Sequence, residues 1–155
     1  MIKYGKEQLH ILYMEADVTS REYLENTDNK NFRYRVVVDN PVARNIEYIH
    51  PLKQEMVNDI INRARRDHYV KRIIIFGSAV TNRCTPFSDL DICIDWTGAS
   101  HDEDGVYVQE TQPMMRFISL KSKGGCDVLS YDDLTNEELK MNIDNGGVLV
   151  YEHDV

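Results

Sequence analysis

IIIFGSAVTNRCTPFSDLDICID, residues 73–95, decides what kind of fold this chain builds. An apolar run, Ile73 to Phe76, feeds a Gly77-Ser78 turn, and ten polar-loop residues then lead to Asp89-Leu90-Asp91 at the head of a second apolar run. Apolar runs of this length bounded by turn residues predict two strands. Side chains alternate faces along a strand, so Asp89 and Asp91 project to one side, about 7 Å apart at ~3.3 Å per residue. Leu90, Ile92 and Ile94 fill the other face and anchor the strand in a core. Two carboxylates on one face repel each other unless a cation lies between them. Hard oxygen ligands of this kind suit Mg²⁺ or Mn²⁺, which take a few carboxylates together with waters and substrate phosphates. A bare D-x-D is more often a solvated acidic strand, so the weight falls on what precedes it.

What precedes it is a phosphate cradle. Gly77 follows four apolar residues and has no Cβ, so it can take a positive φ and let a ligand approach the backbone. Ser78 adds a hydroxyl donor, and Ala79-Val80-Thr81-Asn82 is expected to begin a short helix whose amides favour anionic oxygens. Gly-Ser after a strand is by itself an ordinary turn. Joined to S-D-L-D at this distance, it points to metal-dependent chemistry on a nucleoside triphosphate.

The pattern G-S, ten residues, D-x-D resembles the signature of the polymerase-β-type nucleotidyltransferases, and Ser88 before Asp89 matches the S-D-x-D of their minimal prokaryotic branch. The resemblance covers about residues 51–151. It implies that Gly77 and Ser78 contact the triphosphate of ATP or another NTP, and that Asp89 and Asp91 bind Mg²⁺ (or Mn²⁺). It also implies a third acid on a later strand. Many relatives place an arginine and then a glycine soon after G-S, where this chain has Thr81-Asn82-Arg83. The third acid is Asp127, near the start of the short apolar run Cys126–Ser130 that follows a Lys/Gly-rich loop. Family geometry would set it beside the D-x-D pair, to ligate metal and accept the proton of an incoming hydroxyl. Asp132 and Asp133 belong to a polar turn and are read as solvated.

Composition agrees with one α/β domain. At 155 residues the chain can bury a sizeable core, and 42% hydrophobic with 28% charged residues is ordinary for a globular protein. No apolar run approaches membrane length and MIKYGKEQLH lacks a signal-peptide core, so a cytoplasmic protein is expected. Cys84, Cys93 and Cys126 show no CxxC spacing and suit reduced thiols. The net charge of −8 argues against a long nucleic acid as partner. Arg63, Arg65, Arg66, Lys71 and Arg72 form one basic cluster, best read as complementing a helix C-terminus in water.

The elements arrange themselves around the motif. Pro51 to Arg66 predicts an amphipathic helix with Leu52, Met56, Ile60 and Ala64 on one stripe and Val57 and Ile61 beside it. Strand Arg72–Phe76, the turn and strand Asp89–Trp96 follow. Thr97 to Gly105 reads as a loop. Val106 to Lys121 predicts a helix burying Val108, Met115, Ile118 and Phe117, with Pro113 in an early turn. After strand Cys126–Ser130, Thr135-Asn136-Glu137-Glu138 has capping-box spacing for a helix ending at Gly146-Gly147. Val148 to Tyr151 is a last strand or an extended tail. Residues 1–50 read as an N-terminal extension packed on a nucleotidyltransferase domain of residues 51–155. Within it Ile2 to Ala16 is expected to be helical, Thr19-Ser20-Arg21-Glu22 opens a further turn of helix, and Phe32–Val38 with Asn45–His50 predicts a hairpin. The fold expected is thus a polymerase β-like core, a mixed sheet flanked by helices.

The reaction this implies is transfer of an NMP, chiefly AMP, from an NTP to a hydroxyl acceptor. In the minimal branch the resemblance implies an acceptor on a separate protein, a tyrosine of a HEPN-type toxin, with the transferase as antitoxin. Two other expectations stand beside it. One is transfer to a small molecule such as an aminoglycoside; the other is a non-catalytic nucleotide- or partner-binding module.

Overall fold

The computed structural model describes residues 32–97 and 110–153. The predicted helices within residues 2–22 lie outside them, as do Val108 and most of the 97–105 loop. The first helix, α1 (Pro51–Ala64), leads into β1 (Val70–Phe76). A four-residue 3-10 turn, Gly77–Val80, and a loop carry the chain to β2 (Leu90–Trp96). Helix α2 (Gln112–Ser122), β3 (Cys126–Ser130), a 3-10 turn at Tyr131–Asp133, α3 (Glu137–Gly146) and β4 (Val148–Glu152) complete the described chain.

The four strands form one mixed sheet in the order β3-β2-β1-β4. β1 lies antiparallel to β2 and β4, and β2 lies parallel to β3. The motif strands β1 and β2 hold the centre because they are the most continuously apolar, buried on both faces as central strands of such sheets are. One face presents Ile73, Ile75, Leu90, Ile92, Ile94 and Val150 to α1 and α2, where Val57, Ile60, Ile61, Met114 and Ile118 meet them in the main core. The opposite face carries Ile74 and Cys93, which α3 covers with Ile143. This is the mixed sheet flanked by helices that the sequence predicts.

Several local expectations shift. The buried stripe of α1 is Gln54, Val57, Ile60, Ile61 and Ala64; Leu52 and Met56 are half-buried. Gln54 is inside because all its polar atoms are used: Nε2 donates to the carbonyls of Arg35 and Ile49, and Oε1 accepts from the Val37 amide. α1 stops at Ala64, short of Arg66, and β2 begins at Leu90, after Asp89. On α2, Met114 takes the buried position predicted for Met115, which is exposed; Pro113 sits in the first turn as expected. The α3 cap is Asn136, whose side chain accepts from the Leu139 amide, so the capping-box frame with Thr135 as cap is off by one.

The predicted hairpin does not form. Residues 32–38 are extended without ladder partners and Ile46–Tyr48 is a 3-10 turn. The Tyr34 amide donates to the Glu47 carbonyl and the Tyr34 ring packs on His50, which links the two segments without a ladder. Phe32 and Tyr34 do alternate inward against Arg33 and Arg35, but Val36 is exposed. The segment is held instead by α1 side chains and the rim of β4: Asn58 accepts from the Val42 and Ala43 amides, and the Arg44 amide donates to the Val150 carbonyl. Among the described residues no helix is long and apolar enough to cross a membrane.

Candidate active site

The candidate site forms where β1 ends and β2 and β3 begin. β1 delivers the chain to Gly77 at φ 73°, in the left-handed region that a glycine takes at least cost. A Cβ added there would land on Asp91 Oδ2, 3.1 Å from its Cγ and 3.4 Å from its Cβ. Gly77 is therefore required twice, by its backbone angle and by the carboxylate against it. The expected helix over Ala79–Asn82 is only the 3-10 turn Gly77–Val80, closed by the Thr81 amide and hydroxyl donating to the Ser78 carbonyl, each at 3.0 Å. Four residues carry little dipole, so the cradle rests on the exposed Gly77 backbone and the Ser78 hydroxyl. The His50 amide donates to the Ala79 carbonyl at 2.8 Å and ties the start of α1 to this turn.

Two of the three predicted acids meet across the strands, and the third, Asp89, lies near enough for its charge to reach Asp91. Asp91 faces Asp127 directly across the parallel β2/β3 pair, and facing residues in a ladder point to the same side of the sheet. That side is the α3 side, but α3 covers only the next row, Cys93 and Leu129. The row at Asp91 and Asp127 is left open: Asp91 is half-buried and Asp127 exposed. Asp127 stands on β3, which among the described residues is an edge strand. Asp89 lies just before β2, exposed, at the end of a loop that braces itself. There the Ser88 hydroxyl accepts from the Thr85 amide at 2.9 Å, the Ser88 amide donates to the Thr85 carbonyl, and the Phe87 amide donates to the Thr85 hydroxyl. Ser88, noted from sequence only as a motif letter, thus sets the path into Asp89.

Electrostatics mark Asp91 as the stressed member. Its pKa is raised, first by burial and then by the charges of Asp127 and Asp89. Asp95, two rows further along the same face beyond Cys93, is buried but compensated: Arg72 Nε lies 3.0 Å from its Oδ2. Sequence reading left Arg72 in the basic cluster and missed this pair, although the β1/β2 register that makes them partners follows from the turn. Asp132 and Asp133 are exposed on their 3-10 turn, and the three cysteines are free.

Among the described residues no three histidine, cysteine or carboxylate groups stand close enough to grip a cation as they are placed. Mg²⁺ needs only one or two carboxylates, completed by phosphate oxygens and waters. The donor set itself fits: oxygen ligands only, converging beside a glycine that a side chain would fill.

Residues 58–155 match the family model "Polymerase beta, Nucleotidyltransferase". No curated protein matches the chain. Among solved structures, a chain of the tri-AMPylated Shewanella oneidensis HEPN toxin in complex with MNT antitoxin is similar at 16% identity and a TM-score of 0.44, over 65% of this chain and 73% of that one.

Proposed function

Because the chain belongs to the polymerase β nucleotidyltransferase family, we propose that it transfers an NMP, in first place AMP, from an NTP to a hydroxyl acceptor at the Asp89, Asp91 and Asp127 site. The observation that carries the reading is the placement of Asp91: pressed against Gly77, facing Asp127 across the strands and, among the described residues, without an ion-pair partner. A perturbed acid in an open site beside a phosphate cradle is what such chemistry needs.

The residues divide the work. Gly77 lets a phosphate oxygen reach the backbone, and the Ser78 hydroxyl donates to it. Mg²⁺ or Mn²⁺ held by Asp89, Asp91 and Asp127 would neutralise charge on the triphosphate and on the departing pyrophosphate. Asp127, the exposed acid, takes the proton of the acceptor hydroxyl. The acceptor oxygen then bonds to the α-phosphorus as the bond to pyrophosphate breaks in line. Positioning and charge stabilisation supply most of the barrier reduction.

The acceptor we propose is a protein hydroxyl, a tyrosine of a HEPN-type partner with this chain as antitoxin. Its support is the S-D-L-D form of the motif, shared with the minimal branch. The test is incubation with Mg²⁺ and ATP labelled at the α-phosphate, with a HEPN-type partner and, separately, with an aminoglycoside. Label on the partner, absent with Asp91→Asn or with EDTA, is expected. Label on the aminoglycoside alone would replace the acceptor, and no magnesium-dependent ATP binding in the unaltered chain would refute the reaction.

A further inference from the structure

We propose that Thr81 is the positioning residue of the phosphate cradle: its hydroxyl, without touching the nucleotide, sets the affinity of the Gly77-Ser78 turn for a triphosphate. The inference rests on the transfer reading above. It concerns the stretch Thr81-Asn82-Arg83, where many relatives carry an arginine and then a glycine.

The turn is anchored unevenly. Ala79 and Val80, at its back, are buried, and the His50 amide holds the Ala79 carbonyl at 2.8 Å. Gly77 is exposed and Ser78 half-buried, so burial does not fix the front, where a phosphate would lie. Glycine there adds backbone freedom of its own. What holds the front is the Ser78 carbonyl. It accepts twice from one residue, from the Thr81 amide and from the Thr81 hydroxyl, each at 3.0 Å. A peptide unit is planar, so a carbonyl gripped by two donors cannot swing without breaking both bonds. The Ser78 backbone is thereby fixed on its carbonyl side, and with it the place from which the Ser78 hydroxyl reaches a phosphate oxygen.

Thr81 does this from inside the fold. Its residue is 6% exposed, and its one hydroxyl proton is committed to Ser78. A buried hydroxyl with no proton left to donate does not bind phosphate itself. A threonine hydroxyl often bonds the carbonyl three residues back. Here the same oxygen also accepts from the Arg83 amide at 3.2 Å, which ties the turn to the first residues of the loop that ends at Asp89. One hydroxyl thus links the phosphate end of the site to its acid end. Valine at this position keeps the shape and loses the hydroxyl, while the amide bond to Ser78 and the His50 brace stay in place. Serine keeps the hydroxyl and loses a methyl group.

The unaltered chain, Thr81→Val and Thr81→Ser are titrated by calorimetry with Mg²⁺–ATP and with Mg²⁺–tripolyphosphate, and melted without ligand. Thr81→Val is expected to weaken both ligands by the same factor, roughly five- to tenfold, about what one hydrogen bond contributes. Thr81→Ser should bind both within about twofold of the unaltered chain, although loss of a buried methyl group lowers its melting midpoint. Affinity therefore follows the hydroxyl and not the melting midpoint, a split that a merely structural role would not produce. Should Thr81→Val not fold, Thr81→Ala against Thr81→Ser makes the same comparison, since both lack the methyl group and only serine has the hydroxyl. Three results would overturn the proposal: full affinity without the hydroxyl, equal loss with and without it, or a loss for ATP that tripolyphosphate does not share. Failure of the unaltered chain to bind Mg²⁺–ATP would instead overturn the transfer reading, and that titration is read before any variant is compared.

Discussion

Replacing Gly77 with alanine perturbs the site at its tightest point and separates two effects that the structure superimposes. The first is backbone strain: φ 73° costs an L-residue roughly 1–2 kcal/mol. The second is the collision with Asp91, whose Oδ2 occupies the place of the new methyl group and whose Cγ lies 3.1 Å from it. The softest relief is rotation of the Asp91 side chain away from its rotamer, at about 0.5–1.5 kcal/mol. The sum, about 1.5–3.5 kcal/mol, corresponds to a melting midpoint lower by roughly 3–14 °C in a domain of this size. Because Asp91 is the group that moves, transfer should fall on the order of 10²-fold, the effect of an ångström's misplacement of a reacting group. A double-mutant cycle isolates the collision. With Asp91→Ala the Oδ2 and Cγ are gone and only the Cβ remains, at an ordinary 3.4 Å, so Gly77→Ala should then cost the strain alone. Urea denaturation of the four proteins should give a coupling of about 0.5–1.5 kcal/mol. Equal costs in the two backgrounds, or an unperturbed Gly77→Ala protein, would refute the packing argument.

Three further outcomes follow from the same structure. The folded chain holds the Asp91 proton more tightly than the unfolded chain, so it binds more protons over the window from the usual 3.8 up to the raised value; metal-free stability must fall as pH rises through that window. Melting in EDTA against pH should show this decline, and Asp91→Asn should flatten it. Arg72→Gln leaves the nearly buried Asp95 carboxylate without its partner and removes the cation 5.0 Å above the Tyr131 ring; a loss of about 2–3 kcal/mol in chemical denaturation is expected. Asn136→Ala removes the α3 cap and should cost about 1 kcal/mol by the same measurement, whereas Thr135→Ala should cost little.

The core of the fold was legible because its strands and helices are locally consistent. β1, β2 and β3 stand within two residues of where their apolar runs put them, and the D-x-D spacing already required a shared face. The convergence of Asp127 on Asp91 was legible only through the family pattern. No local rule states that residues 36 positions apart share a register in a parallel pair. The failures have a common physical origin in tertiary contacts. Phe32–Val38 alternates like a strand, but its amides are claimed by Gln54 and Glu47, so no ladder forms. Gln54 reads as a surface residue of an amphipathic helix and is fully buried, because three backbone groups of the preceding segment converge on it.

Asp91 and Asp95 show what separates a structural acid from a chemically available one in this sheet. They share a strand, a face and a residue type. Register makes the difference. Across β1, Asp95 meets Arg72, a cation at 3.0 Å, and the pair is satisfied within the fold. Across the same strand Asp91 meets Phe76, the last residue before the glycine turn, which brings no charge; on its other side it meets Asp127, which adds a like charge. Burial therefore penalises the ionised form of Asp91 with no ion-pair partner among the described residues, and the penalty grows with each neighbouring carboxylate. Only a cation from outside can offset it. A phosphate-bearing ligand at Gly77 would bring such a cation to the end of the sheet where Asp91 and Asp127 stand open. The same imbalance that weakens the empty fold thus becomes binding free energy for metal and nucleotide together, so affinity for either should depend on the other.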